Sequence, residues 1–164
     1  MSLRTDAKTI YQTAIRASLP DRAVQDALAD WQPPAGRTIL LAVGKAAWRM
    51  ARAAQQVLSS RIAAGLVVTK YHHSEGPLGD LEIMESGHPV PDENSVRAAQ
   101  RALEMTQDLT AQDTVLLLIS GGGSALLELP RIGLDEMQHI TQALLASGAD
   151  ITEMNAVRKR LSLV

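Results

Sequence analysis

A continuous apolar run, Thr114-Val115-Leu116-Leu117-Leu118-Ile119, ends on Ser120-Gly121-Gly122-Gly123-Ser124-Ala125-Leu126-Leu127. The run has strand length and no polar alternation, which predicts a strand buried on both faces, as in a parallel sheet. Glycines at its carboxyl end let the backbone turn sharply and come close to a ligand. If the next residues open a helix, their unpaired amides and the helix dipole favour an anion. Ser120 and Ser124 add hydroxyls at the edges. One reading of Ser120, Gly121, Gly122, Gly123 and Ser124 is therefore a cradle for phosphate or carboxylate. The other is a strand-to-helix turn that binds nothing. The first is favoured, because ligands of open α/β sheets collect at the carboxyl ends of strands.

The rest of the chain repeats the same alternation. Residues 5 to 18 predict a helix with Ile10, Ala14, Ile15 and Ala17 on one face, ended by Pro20. Asp21 can cap a second helix through about Asp30, with Val24, Ala27 and Leu28 inward. The breaker cluster Gln32-Pro33-Pro34-Ala35-Gly36 leads into a strand from Arg37 to Val43. Gly44-Lys45-Ala46-Ala47 then turns into a helix to about Arg61. Leu66 to Thr69 predicts a second strand and Leu81 to Glu85 a weaker third. A stiff loop, Gly87-His88-Pro89-Val90-Pro91, precedes a helix capped by Asp92 or Ser95 and running to about Leu109. After the glycine turn, Gly133-Leu134-Asp135 starts a helix that Gly148 stops, and Asp150 or Thr152 caps a last segment toward Leu161. Strands alternating with helices predict an α/β fold: a Rossmann-like parallel sheet of about four or more strands, with helices on both faces and right-handed crossovers.

Composition narrows the partners. The chain has 164 residues, the size of one domain, and is 46% hydrophobic. Phe is absent and there are two Trp and two Tyr, so the core must be built from aliphatic residues and Met. A net charge of −2, no basic patch and few stacking rings argue against nucleic acid. Without cysteine there is no disulfide, thiolate metal site or cysteine nucleophile. The amino terminus lacks the apolar core of a secretory signal, and no run reaches membrane-spanning length. A soluble, cytoplasmic protein is expected. The apolar end, Leu161-Ser162-Leu163-Val164, reads as a chain cut in mid-structure.

Four places could carry chemistry. Lys45 follows a buried strand directly, at the first turn of a helix, where its charge opposes the dipole. A lysine held there is well placed to grip phosphate, the alternative being a solvent-facing side chain. Gly44-Lys45 is not a P-loop, since Ala46 stands where Ser or Thr is required. The glycine turn is not G-x-G-x-x-G either, which counts against a nicotinamide-dependent enzyme. His88, between Gly87 and Pro89, sits in a rigid loop that can aim a side chain or merely tie it to its neighbours. His72 and His73 are adjacent and point opposite ways in extended chain, and His139 falls mid-helix, so all three read as surface residues. Asn155 and Arg158 share one helix face, and Arg158 could clamp a carboxylate or phosphate, or simply complement the helix dipole.

Together, Val43-Gly44-Lys45-Ala46-Ala47, Gly87-His88-Pro89-Val90-Pro91-Asp92-Glu93-Asn94-Ser95, Ser120-Gly121-Gly122-Gly123-Ser124-Ala125-Leu126 and Asn155-x-x-Arg158-Lys159-x-Leu161-Ser162 resemble the amino-terminal part of the glycerate 2-kinases. The matching stretches keep their order along essentially the whole chain. The resemblance implies ATP-dependent phosphorylation of the 2-hydroxyl of D-glycerate, with Mg2+ delivered by the ATP. It implies an active site in a cleft between a Rossmann-like domain, here residues 1–164, and a carboxyl-terminal domain outside this chain. Lys45 takes the place of the family's catalytic lysine, and the catalytic arginine of the second domain has no counterpart here. Ser120, Gly121, Gly122, Gly123, Ser124, His88, Asn155 and Arg158 are then expected to bind substrate or phosphate. The sequence leaves open which anion the glycine turn holds and whether the protein is a homo-oligomer. Two alternatives stay beside the kinase: a hydroxypyruvate reductase, the family's older label, and a non-catalytic ligand-binding module.

Overall fold

The structure, a computed structural model, describes residues 2–32 and 35–164. Strands β1 (Thr38–Val43), β2 (Ile62–Lys70), β3 (Glu82–Ser86) and β4 (Thr114–Ile119) form one parallel sheet in the order β3-β2-β1-β4. From β1 the chain steps outward on one side through β2 and β3, then returns to pair β4 on the other side. The order therefore reverses between β1 and β4, and open α/β sheets bind ligands at such a switch point, outside the carboxyl ends of the strands. Lys45 follows β1 and the glycine turn follows β4, so topology alone sets them side by side.

Among the described residues, seven α-helices accompany the sheet: α1 (Leu3–Ala17), α2 (Pro20–Leu28), α3 (Ala47–Leu58), α4 (Glu93–Thr106), α5 (Gly123–Leu126), α6 (Leu134–Ala146) and α7 (Ile151–Leu161). Leu40 and Ala42 of β1 face α3, with α2 packed behind it through Val24 and Leu28. Val43, Leu66 and Val68 face the other way, against Ala98 and Ala102 of α4 and Leu126 of α5. Helix α3 meets the sheet through Ala47, Ala51 and Ala54, all fully buried. Small side chains let the helix backbone come close, which is how a core without Phe is filled to ordinary density.

Several local expectations are corrected. Pro20 opens α2 at its first position instead of marking the end of α1, which is capped by Ser18. Asp21 is not the cap. It lies in the first turn and pairs with Arg49 and Arg52 of α3. Ala27 is exposed, and α1 buries no residue, leaving Ile10 and Ile15 in solvent. The Pro33-Pro34 step of the breaker cluster lies outside the described residues. Strand β4 is not buried on both faces. Leu116 and Leu118 pack on the α3 side, whereas Val115, Leu117 and Ile119 stand 39%, 51% and 64% exposed. The reason is position: β4 is the sheet edge, and α4 covers the opposite face over β3, β2 and β1. The expected caps do form at Asp92, which shares a capping box with Ser95, and at Asp150, which shares one with Glu153.

Candidate functional site

The site grows out of two turns laced together at the switch point. Ser120 N–H donates to the Val43 carbonyl at 2.9 Å, and Lys45 N–H donates to the Gly121 carbonyl at 2.9 Å. The Ser120 hydroxyl accepts the Ala46 N–H at 3.0 Å. That hydroxyl is thus committed to the neighbouring turn. Gly44, at φ +123°, completes the lacing, for a Cβ there would run into the Ser120 side chain and its carbonyl.

Gly122, at φ +93°, lies where three expected residues meet. A Cβ on it would sit 2.8 Å from His88 Cδ2, 2.9 Å from His88 Nε2 and 3.1 Å from Lys45 Cε. The imidazole and the lysine stem therefore close over one face of the glycine turn, at a distance no side chain could share. The backbone amides of Gly121, Gly122, Gly123 and Ser124 donate to no protein group among the described residues. Successive free amides in a turn form a concavity suited to an anion. Helix α5 is a single turn, so these amides and Lys45, rather than a long helix dipole, are what the turn can offer an anion.

His88 reaches this point because its loop is anchored. Asp92 accepts the Tyr71 hydroxyl at 2.6 Å and the Ser95 amide at 3.0 Å. Burial alone would raise the Asp92 carboxyl. The hydrogen bonds from Tyr71, Ser95 and Gly87 outweigh it and hold the group below the usual carboxylate value. Asn94 extends the anchor to the carbonyl of Glu85 at 3.1 Å, and Gln138 of α6 donates to the Pro91 carbonyl at 2.9 Å. His88 itself is half-buried. Desolvation first, and then the charges of Lys45, Lys70 and Arg158, depress its basicity and favour the neutral ring.

Arg158 and Asn155 reach the turn from another side. They line an open pocket of about 330 Å³ together with Val43, Ile119, Ser124 and Glu128. Arg158 Nη2 donates to the Ser124 carbonyl at 2.6 Å and to Glu128 Oε2 at 3.1 Å. The structure thus brings Lys45, His88 and Gly122 together on one flank, and Asn155, Arg158 and Ser124 on the other. His73 also belongs to the first flank, with Nδ1 3.2 Å from the Lys45 carbonyl, while His139 is exposed on α6.

A family model described as "Domain of unknown function (DUF4147)" matches residues 6–164. The chain belongs to the DUF4147 family. It is 55% identical over 99% of its length to a D-glycerate 2-kinase of Thermotoga maritima, of which it covers 39%. It is 42% identical over all of its length to a protein of Agrobacterium vitis named for hydroxypyruvate reductase, of which it covers 37%. Its fold matches a crystal structure of the Thermotoga maritima glycerate kinase with a TM-score of 0.88 at 54% identity, over 99% of this chain and 39% of that one. The chain therefore spans well under half the length of these relatives. No helix among the described residues of this DUF4147 chain is long and apolar enough to cross a membrane.

Sequence reasoning missed Tyr71, Glu128 and Lys70 at this site. Tyr71 lies in a polar loop with no motif, and Glu128 follows the glycine turn in a stretch that carries no periodicity. Only the Glu in an otherwise apolar segment, Leu126-Leu127-Glu128-Leu129, could have drawn attention to the latter.

Proposed function

We propose that the chain is the amino-terminal α/β unit of a two-domain glycerate 2-kinase. The enzyme would transfer the terminal phosphoryl group of ATP, as its magnesium complex, to the 2-hydroxyl of D-glycerate. The observation that carries it is the meeting of Lys45, His88 and four free amides at the switch point, in a chain this close to a D-glycerate 2-kinase.

The chemistry follows from those groups. Phosphoryl transfer asks the protein for position and positive charge more than for covalent help. Lys45 supplies an ammonium toward the phosphoryl oxygens. The amides from Gly121 to Ser124 hold a phosphate of the nucleotide or the carboxylate of glycerate. Neutral His88 can accept a hydrogen bond from a substrate hydroxyl, which an imidazolium could not. The 2-hydroxyl oxygen attacks the γ-phosphorus and gives up its proton to water, the bond to the β-phosphate oxygen breaks, and ADP and 2-phosphoglycerate leave. Further positive charge is expected from the second domain, across the cleft. Both substrates are water-soluble metabolites, and the cytoplasm is the compartment we assign.

The test is a side-by-side assay of the whole enzyme. D-Glycerate with MgATP, followed by phosphorus NMR, should yield 2-phosphoglycerate. Hydroxypyruvate with NADH should yield no oxidation of the nucleotide. NADH consumption without phosphoryl transfer would replace the kinase by the reductase, and neither reaction would favour a binding module.

A further inference from the structure

We propose that Glu128 and Arg158 form a positioning pair that fixes the glycine turn from behind, with Arg158 acting through the Ser124 carbonyl. The proposal rests on the anion-cradle role given above to that turn. Glu128 is 2% exposed and the Arg158 side chain 11% exposed, so the ion pair is largely out of water. One guanidinium nitrogen, Nη2, serves two acceptors at once: the Glu128 carboxylate at 3.1 Å and the Ser124 carbonyl at 2.6 Å. The peptide so clamped follows directly on the free amides of Gly121 to Ser124. Glu128 is itself well anchored. Its N–H donates to the Ser95 carbonyl at 3.4 Å, and the preceding Leu127 N–H closes the α5 turn on the Gly123 carbonyl at 2.9 Å. Arg158 comes from α7, so the pair ties a distant helix to the end of the cradle.

The pair makes little sense as a stabilising device. Glu128 Oε1 and Arg158 Nε are buried without a partner, leaving the pair half-satisfied. Buried ion pairs seldom outdo apolar side chains of similar volume, and incomplete ones do worse. What the arrangement does deliver is direction. A carboxylate holds the guanidinium, and the guanidinium holds one peptide plane of a turn whose neighbouring glycines have no side chains to hold it. With Nη2 occupied on both counts, Arg158 acts on the turn through the Ser124 carbonyl and is a positioning residue for it.

The test uses Glu128→Gln, Arg158→Lys and the double variant Glu128→Met/Arg158→Met in the whole enzyme. Glu128→Gln keeps the shape and weakens the hold on Arg158. The double apolar variant should fold even if a single variant does not. Each variant is expected to raise the KM of one substrate, the one whose anion sits on the turn, by about tenfold or more, with the other KM within about twofold. Glu128→Gln that binds both substrates like the wild type while Arg158→Lys does not would make Arg158 a direct ligand and overturn the proposal. Variants that lower only the melting temperature would overturn it too. Titrating inorganic phosphate against the amide resonances of Gly121 to Gly123 separates the two levels: wild type that shows no phosphate shift removes the cradle itself, whereas equal shifts in wild type and Glu128→Gln remove only the pair.

Discussion

Gly122 holds a left-handed conformation with His88 and Lys45 pressed against the place a Cβ would fill. Gly122→Ala should therefore lose about 1–2 kcal/mol of stability from the dihedral alone, and bind the turn's anion more weakly because the ring and the lysine must retreat. Calorimetry with ATP and with D-glycerate, beside a thermal melt, reads both effects. Lys45 is exposed and sits just ahead of α3, where a cation gains nothing from the helix dipole. Lys45→Met in the whole enzyme should lower kcat/KM by about a hundredfold or more, roughly 3 kcal/mol of transition-state stabilisation, with the melting temperature unchanged or raised. A fall of less than about threefold in steady-state kinetics would remove Lys45 from the catalytic groups. His88 gives a pH signature. Its folded-state pKa lies below the ordinary 6.5, so the unfolded chain takes up the proton first as pH falls. The stability owed to neutral His88 is complete above that ordinary value and is lost as pH drops through the folded pKa. Melts of wild type and His88→Gln across this range should therefore converge on acidification, and a constant gap would contradict the half-buried ring of depressed basicity.

At the scale of elements, α4 and the loop before it act as one unit. Asp92 serves the helix as its cap through the Ser95 amide and serves the loop through Tyr71. Asp92→Ala should cost about 1–2 kcal/mol as a lost cap and also release the loop that carries His88. Tyr71→Phe spares the cap and removes the bond to Asp92 together with the one Asn94 donates to the Tyr71 hydroxyl, and a loss of about 0.5–1.5 kcal/mol is expected. Denaturant midpoints give the two stabilities, and substrate affinity reports the freedom of His88. If Tyr71→Phe leaves affinity intact while Asp92→Ala reduces it, the anchor works through the cap and not through the tyrosine. Strand β4 is the second informative element. Its apolar composition predicts two buried faces, yet it stands at the sheet edge with Leu117 and Ile119 open. A run of Leu and Ile states that a strand can be buried. It does not state how much of the molecule is there to bury it.

For the whole molecule, the decisive quantity is that the chain covers 39% of the Thermotoga maritima relative. The site occupies one wall of what we propose is a cleft between domains. Phosphoryl transfer needs charge on more than one side of the moving group and exclusion of water. The purified 164-residue chain is therefore expected to show no turnover of D-glycerate with MgATP above a blank. Turnover by the chain alone would show that Lys45 and the glycine turn suffice, and would refute the two-domain cleft.

The alternation of apolar runs with amphipathic segments was enough to determine a parallel α/β sheet, because strand and helix each impose their own period on the chain. Gly44-Lys45 and Ser120 to Ser124 were legible as turns at the carboxyl ends of two strands, because a glycine directly after an apolar run marks the place where the strand stops. His88 was legible as a residue held in a stiff loop. Its neighbour was not, because only the strand order β3-β2-β1-β4 and the anchor at Asp92 bring that loop over Gly122. Arg158 was read for its charge, and its occupation by Glu128 and the Ser124 carbonyl was decided by the packing of α7 against the turn. Local physics fixes periods, caps and turns from neighbours in sequence. Burial, charge pairing and the depressed basicity of His88 depend on groups brought together from distant parts of the chain, and only the tertiary structure supplies them.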